Sequence, residues 1–292
     1  MKKTSILFTL LPSTICAVCL CLMTCVVSAQ LPGSLTNGLV SYYTFDGNYL
    51  DSGSSGNSFT SISSGASFTT NRFGSANSAV VFASFADAIT TQGNLSLTSG
   101  SSFTLSIWAK PSSTALGGNG SAGGNLIQTG LLNESMDNYG AWLMTSFFPQ
   151  ERGGTFVIDG GYSLVEHNNA FAQIFDDWHQ FVYIYDGSIS ASKIYIDGSE
   201  TITEVGSSNL TNQRFLTPTP LTVGNYIYSA NGNTAGGYAD TPFSDLMIYS
   251  RALSPTEVTT LYNAQSVPEP STYALLLLGG ATSLWALKRR KS

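Results

Sequence analysis

The sequence predicts an all-β protein, a two-sheet antiparallel sandwich of the jelly-roll type. Between residues 31 and 266 the chain is rich in Gly, Ser, Thr, Asn and aromatic residues, and short apolar runs alternate with turn residues. Long stretches with the 3.6-residue periodicity of helices are missing from this part of the sequence. Many short strands separated by turns are typical of sandwiches. Because no repeat or boundary signal divides this part, we predict one domain over residues 30–266.

One segment shows strand alternation clearly. Phe103, Leu105 and Ile107 alternate with Thr104 and Ser106. Successive side chains in a strand point to opposite faces, so the three apolar residues share one face and Trp108 lies on the other. This pattern predicts a half-buried strand. Further strands are predicted at residues 39–45, 79–83, 139–147, 155–159, 179–185, 193–196 and 245–249.

Two Asp-Gly pairs predict tight turns. Asp186-Gly187 and Asp197-Gly198 lie at the ends of predicted strands, and glycine accepts the positive φ that such turns need. Residues 179–185 are therefore predicted to pair with residues 193–196 as a hairpin.

One helix is predicted from Ser254 to Asn263. Ser254 can cap it, Pro255 suits the first helical position, and Glu257 completes a capping box. We expect its apolar side chains to pack on the sandwich: Val258, Leu261 and Tyr262.

Residues 1–29 are predicted to be a cleavable secretion signal. Lys2 and Lys3 precede an apolar run from Ile6 to Val27, and Val27-Ser28-Ala29 offers small residues for signal peptidase. An uncleaved anchor is the alternative, since the run approaches the roughly 20 residues that span a bilayer. The four cysteines all lie in this segment, so cleavage removes every thiol and excludes disulfides and redox chemistry: Cys16, Cys19, Cys21 and Cys25. A lipoprotein cysteine at Cys25 is a further alternative, disfavoured by the bulky Met23 and Thr24 before it.

Residues 267–292 combine three elements. Pro268, Glu269 and Pro270 precede an apolar run over residues 273–287, and residues 288–291 are Lys-Arg-Arg-Lys. Fifteen helical residues reach only about 22 Å, less than the roughly 30 Å of a bilayer core, so this predicts a short transmembrane helix with its cations in the cytoplasm. Together the elements resemble the PEP-CTERM sorting signal of Gram-negative bacteria. The resemblance implies export, transient anchoring in the inner membrane and processing by an exosortase, whereas a plain tail anchor would leave the Pro-Glu-Pro motif unexplained.

The charge of the central domain excludes one class of partner. Without the two ends, six Lys and Arg and 17 Asp and Glu remain, a net charge of −11. Such a surface repels a phosphate backbone, so nucleic acid is not expected to bind.

Four stretches, taken in order, resemble laminin-G-like, concanavalin A-like jelly rolls. They are the opening Gly38-Leu39-Val40-Ser41-Tyr42-Tyr43-Thr44-Phe45-Asp46-Gly47-Asn48, the strand Phe103-Thr104-Leu105-Ser106-Ile107-Trp108, the pair Trp178-His179 with Tyr195-Ile196-Asp197-Gly198, and the closing Ile248-Tyr249-Ser250-Arg251-Ala252-Leu253-Ser254 with Glu257. The resemblance spans nearly the whole domain. It implies two curved antiparallel sheets, often with a calcium ion near the joined termini.

The sequence predicts that the protein is not an enzyme. Laminarinase-type enzymes of this architecture carry Glu-x-Asp-x-Glu on one strand, and the sequence contains no such triplet. The nearest pairs, Glu134 with Asp137 and Asp176 with Asp177, lie in predicted loops and are interpreted as solvated turn residues. The two histidines, His167 and His179, lack the spacing of a zinc site, and neither lies in a motif that pairs it with a nucleophilic serine.

Calcium is the cofactor that the resemblance suggests. Calcium takes six to eight oxygen ligands, which acidic Asn/Gly turns supply. The candidate ligands are Asp46, Asp51, Asn57 and Asp245. The family usually has an acidic residue two positions before the first core aliphatic of the last strand, and here that position is Ser244. An ordinary turn without an ion therefore remains the alternative.

The two targeting signals and the missing catalytic carboxylates predict an exported binding module of the cell surface or extracellular matrix, with carbohydrate or a matrix component as the class of ligand. Sugar sites use exposed aromatic faces and polar side chains on loops or a concave sheet. The candidates are Tyr139, Trp142 and Tyr228. Two alternatives stay open, a structural or adhesive matrix protein without a specific ligand and a polysaccharide-degrading enzyme.

Overall fold

The computed structural model describes residues 31–61, 64–84, 87–95, 102–112, 125–129, 143–148, 153–158, 174–189, 191–205, 219–224 and 240–267. Pro32–Ala264 form one compact unit. The predicted signal peptide and the tail from residue 268 lie outside the described residues, so the predicted boundaries of both stay predictions. Among the helices that the structure describes, none is long and apolar enough to span a membrane.

The described elements are mostly strands. They are β1 Leu39–Tyr43, β2 Phe59–Ser61, β3 Ala66–Thr69, β4 Ala79–Phe82, β5 Ile89–Leu95, β6 Phe103–Ala109, β7 Asn125–Thr129, β8 Leu143–Phe148, β9 Gly153–Ile158, β10 His179–Asp186, β11 Ala191–Ile196, β12 Ser199–Val205, β13 Thr219–Val223 and β14 Phe243–Tyr249, with helices α1 Gly33–Thr36 and α2 Pro255–Gln265.

Two antiparallel sheets enclose the core. Sheet I has the order β12-β11-β10-β6-β14-β4-β3, with β1 pairing the later part of β14, and sheet II has the order β2-β5-β13-β7-β8-β9. Apolar side chains of both sheets meet in one buried cluster, to which sheet I contributes Leu105 and Phe181, and sheet II contributes Ile89 and Val223. The predicted two-sheet fold is confirmed.

Strand β6 is buried on both faces, so the prediction of a half-buried strand is wrong. Phe103, Leu105 and Ile107 do share the core face, as the alternation predicts. Its other face is covered by the C-terminal segment, because the ring of Trp108 stacks on the ring of Tyr262 in α2 at 5.8 Å between centroids. Every residue of β6 is therefore buried.

The predicted hairpin is confirmed and extends further. Strand β10 pairs with β11 from Phe181↔Ile196 to Asp186↔Ala191. Asp197 and Gly198 then turn the chain into β12 with φ of 51° and 75°, the two positive values of the tightest hairpin turn. A Cβ at position 198 would also lie 2.9 Å from Cβ of Tyr262. Both the turn conformation and this close contact therefore require glycine there.

Two strand ends differ from the prediction for backbone reasons. Strand β1 stops at Tyr43, because Phe45 has a φ of 61°, which lies outside the extended region. Strand β14 begins at Phe243, and its pairing with β6 shifts register between Ser244 and Met247, where Asp245 has a φ of 50°. This irregularity is typical of a β-bulge.

The predicted capping box of the C-terminal helix is confirmed. The backbone N–H of Glu257 donates to Oγ of Ser254 at 3.3 Å, and the N–H of Ser254 donates to Oε2 of Glu257 at 2.9 Å. Arg251 anchors this cap, since its guanidinium donates to both oxygens of Glu257 at 2.7 and 2.9 Å. This hydrogen bonding is the main cause that lowers the pKa of Glu257 to about 2.

Candidate functional site

An open groove lies where strands of sheet I begin and end. Its volume is about 480 Å³, within the range of small-molecule sites. Each wall residue lies just outside a strand of this sheet: Thr70 and Asn71 follow β3, Lys110 and Ser112 follow β6, Asp176 and Trp178 precede β10, and Asp240 and Pro242 precede β14.

Antiparallel pairing brings these strand ends together. The end of β6 meets the starts of two neighbours, because Ala109 pairs with His179 of β10 and with Phe243 of β14. The segment that follows β6 and the segments that precede β10 and β14 therefore lie at the same end of sheet I. The polar residues that flank those strands become neighbours only through this pairing.

Backbone hydrogen bonds tie the groove segments to one another. The N–H of Lys110 donates to the carbonyl of Pro242 at 2.9 Å, and the N–H of Asp176 donates to the carbonyl of Pro111 at 2.7 Å. The N–H of Asp240 donates to the carbonyl of Phe82 at 3.0 Å. Main-chain hydrogen bonds thus hold the segments that line the groove in place.

The groove offers an indole together with donors and acceptors. Trp178 is half-buried, whereas Asp176 and Asp240 are exposed. The side-chain oxygen of Asn71 already accepts the N–H groups of Phe73 and Ser75 at 2.9 and 3.1 Å. The NH₂ of Asn71 is therefore the end of that side chain suited to a ligand.

The two groove aspartates lie at bends. Asp176 has a φ of 68° and Asp240 a φ of 55°. Aspartate adopts this left-handed conformation more readily than most residues, so these positions suit the sharp entry of the chain into β10 and β14. Asp176 and Asp177 are exposed, as predicted, but Asp176 also lines the groove.

The predicted sugar-binding residues are not among those that the structure describes. Tyr139, Trp142 and Tyr228 lie outside the described residues, as do Pro268, Glu269 and Pro270 of the sorting motif and the carboxylates of Glu134 and Asp137. They stay predictions.

Asp51 and Asn57, two predicted calcium ligands, organise the loop beside β1. The carboxylate of Asp51 accepts the N–H groups of Tyr42, Gly53 and Asn57 at 2.9, 2.7 and 3.0 Å. The amide of Asn57 donates to the carbonyl of Gly93 at 2.8 Å and accepts its N–H at 2.7 Å. A calcium ion would have to compete with these donors for the oxygens.

Asp245, a third predicted ligand, faces a cation. Its Oδ2 lies 2.6 Å from a guanidinium nitrogen of Arg72, and its Oδ1 accepts the hydroxyl of Tyr42 at 2.9 Å. A neighbouring guanidinium repels Ca²⁺, so this site does not fit the ion in the arrangement observed. Asp46, the fourth, is exposed, and the described residues contain no group of three His, Cys, Asp or Glu suited to a metal. Calcium binding stays a prediction.

The sequence interpretation did not single out most of the groove. Lys110, Trp178 and Asp240 flank strands that it does predict, and that position is the only signal available in the sequence. Which strands are neighbours depends on pairing between residues more than 60 positions apart.

Comparison with solved structures confirms the fold. The receptor binding domain of botulinum neurotoxin C/D mosaic serotype superposes with a TM-score of 0.57 at 12% identity, over 79% of this chain and 52% of that chain. The binding domain of Paraclostridial Mosquitocidal Protein 1 has a TM-score of 0.55 at 17% identity, over 79% and 53%. The chain thus spans about half the length of these two. Domain 4 of AbnA, a GH43 extracellular arabinanase from Geobacillus stearothermophilus, in complex with arabinotriose, has a TM-score of 0.51 at 19% identity, over 77% of this chain and 98% of that chain.

Family models assign both parts of the chain. Among curated proteins, none matches the sequence. Residues 266–291 match the PEP-CTERM protein-sorting motif, which indicates export and exosortase-dependent sorting to the surface in Gram-negative bacteria. Residues 82–259, more than half of the chain, match the Laminin_G_3 model, and the protein therefore belongs to the concanavalin A-like lectin/glucanases superfamily.

Proposed function

We propose that this protein is an exported, non-catalytic module that binds a saccharide in the groove at the strand ends of sheet I. One observation carries the proposal: an indole, an ammonium, an amide and two carboxylates line a single cavity. An exosortase is the proposed processing partner, because the chain carries the sorting motif. A polysaccharide of the cell surface or matrix is the proposed ligand.

The chemistry of a sugar matches this lining. A pyranose or furanose ring has an apolar face of C–H groups and an edge of hydroxyls, each of which donates and accepts. The half-buried indole of Trp178 supplies apolar contact area. Carboxylates of Asp176 and Asp240 accept from hydroxyls, and the ammonium of Lys110 and the amide NH₂ of Asn71 donate to them. Six of the eight lining residues are polar, which suits a ligand that presents many hydroxyls.

The neighbours in fold support the same class of ligand. Domain 4 of AbnA was solved with arabinotriose, and another neighbour is described by ganglioside-dependent cell entry of botulinum neurotoxin type C. The likeness in sequence is too low to carry over a particular binding residue, so the proposed site rests on the groove of this chain alone.

Trp178→Ala tests the proposal. We expect the affinity for a bound oligosaccharide to fall at least tenfold, since truncation of a central aromatic anchor typically costs about 2 kcal/mol or more and about 1.4 kcal/mol corresponds to tenfold. The melting temperature should change little, because Trp178 lies outside the core cluster. Glycan-array screening of the purified protein finds the ligand, and calorimetric titration gives its Kd.

A matched control is Ile189→Ala. Ile189 is 55% exposed and lies beyond the far end of β10, so the eight residues of that strand separate it from Trp178. It should leave the Kd unchanged. Equal affinity of the two variants for the oligosaccharide would show that it does not bind in the groove. Absence of binding to every neutral, basic and acidic glycan would favour the alternative, a structural or adhesive protein without a specific ligand.

The two groove carboxylates raise the rival function of a glycoside hydrolase. Such enzymes need one carboxyl group that stays protonated, usually because burial disfavours its charge. Asp176 and Asp240 are both exposed. We therefore expect no new reducing ends when the purified protein is incubated with the polysaccharides that it binds. Release of reducing ends that Asp240→Asn abolishes would instead establish an enzyme.

A further inference from the structure

We infer that the groove selects saccharides by charge, favouring a unit with a protonated amine over a neutral unit and disfavouring uronates and sulfated sugars. The inference rests on the proposed function, because it concerns the ligand of the same groove. It adds to that function the chemical class of saccharide that the lining residues favour.

The charges on the groove walls carry the first step. Among the lining residues that the structure describes, two are carboxylates, Asp176 and Asp240, and one is a cation, Lys110. The formal charge of the lining is therefore −1. An anionic ligand would bring its charge beside two like charges, whereas an ammonium would be attracted to both.

The positions of the two signs carry the second step. Asp176 and Asp240 precede different strands, β10 and β14, which flank β6 on its two sides, and both residues line the same groove. Both side chains are exposed, while Lys110 is half-buried. A ligand in the groove therefore lies near two negative charges and one positive charge.

The surrounding domain adds to the local effect. The region between signal and tail carries six basic and 17 acidic residues. The long-range field of such a surface attracts cationic ligands and repels anionic ones, and salt screens it over about 8–10 Å. The charge of the groove lining and the net charge of the domain therefore both favour a cationic ligand.

A matched series of oligosaccharides tests the inference. Glucosamine tetramers, their fully N-acetylated counterparts and galacturonate tetramers are titrated into the purified full-length protein by calorimetry. A mildly acidic pH keeps sugar amines protonated and ordinary aspartates ionised. At low salt we expect the cationic tetramer to bind about fivefold more tightly than the neutral one, and the anionic tetramer to bind more weakly than both. Added salt should narrow these differences.

Isosteric variants assign the preference to the groove. Asp176→Asn and Asp240→Asn should each reduce the preference for the cationic tetramer while neutral binding persists, and Lys110→Gln should increase it. All three side chains lie outside the buried core, so we expect the variants to fold normally. An unchanged melting temperature would verify this. Trp178→Ala should weaken the binding of all three tetramers by a similar factor.

The outcomes separate the two proposals. Galacturonate binding as tight as that of the neutral tetramer, or a cationic preference that survives both Asp→Asn changes, would overturn the charge selection and leave saccharide binding standing. No binding of any tetramer, with a native melting temperature, would overturn both.

Discussion

Arg72→Ala is expected to lower the free energy of unfolding by about 3–5 kcal/mol, because it leaves a mostly buried carboxylate without its partner. The guanidinium of Arg72 lies 2.6 Å from Asp245, and the two side chains are only 8% and 14% exposed. It also lies over the rings of Phe73 and Trp108 at 4.4 and 4.3 Å. Trp108 stacks in turn on Tyr262 of α2. One side chain therefore links the β3–β4 turn, the bulge of β14 and the ring stack on the outer face of β6.

Denaturant unfolding of two variants separates the charge from the planar shape. Arg72→Lys keeps the charge but cannot cover two rings with a flat group, so we expect it to recover only part of the loss. The double variant Arg72→Ala with Asp245→Asn should be more stable than Arg72→Ala alone, since the unpaired charge is gone. A loss below 1 kcal/mol in Arg72→Ala would show that the linked contacts contribute little.

Asp51→Ala is expected to cost about 2–3 kcal/mol, since hydrogen bonds to a charged acceptor are among the stronger ones. Its carboxylate accepts three backbone N–H groups and the hydroxyl of Ser55. The loop that it holds also pairs with β1, because Ser52 donates to the carbonyl of Tyr42 at 2.8 Å. A Cβ at Gly53 would lie 2.5 Å from the backbone of β1, so the loop covers this strand closely.

The Asp51 contribution depends on pH in a defined direction. Burial raises the pKa of this carboxyl, but the hydrogen bonds from Ser55, Tyr42, Gly53 and Asn57 outweigh burial and leave the pKa below its ordinary value. A lowered folded-state pKa means stability that is fully present above the unfolded value of about 3.9 and is lost as the pH falls through the folded value. The stability gap between the wild type and Asp51→Asn should therefore be constant near neutral pH and shrink below about pH 4. A gap unchanged at low pH would contradict this account.

The same unfolding measurements test calcium. They are made first with a chelator and then with excess calcium, and an ion bound only to the folded state raises the melting temperature. A rise that Asp51→Ala removes would support the predicted site. An unchanged melting temperature would indicate that the donors around Asp51 and Asp245 exclude the ion.

Strands with several large apolar residues, alternating or contiguous, could be predicted from the sequence. Those at β6, β10 and β14 follow the predicted pattern because their core-facing residues are large and apolar. Strands β5 and β12 were not predicted, since they read Ile-Thr-Thr-Gln-Gly-Asn-Leu and Ser-Glu-Thr-Ile-Thr-Glu-Val. Threonine is common in strands, but these two segments have few large apolar side chains at alternate positions, so the period-two signal is weak in the local sequence.

The candidate site was harder to predict from the sequence than the strands, for a related reason. Asp176 was interpreted as a solvated turn residue, which is correct for its exposure but incomplete for its position. Trp178 was used only as a family marker. Neither residue belongs to a motif whose spacing encodes a cavity, because the groove is assembled from the margins of four separate strands.

By itself the sequence determined the class of fold, the hairpin turn at Asp197-Gly198, the capping box at Ser254 and the sorting motif. These features depend on residues close together in the chain, where steric limits and hydrogen-bonding reach act directly. Only the tertiary structure decided that both faces of β6 are buried, that Arg72 meets Asp245, and that Lys110, Trp178 and Asp240 line one groove. Those facts depend on which distant strands pair, and strand pairing is selected by the packing of the whole core.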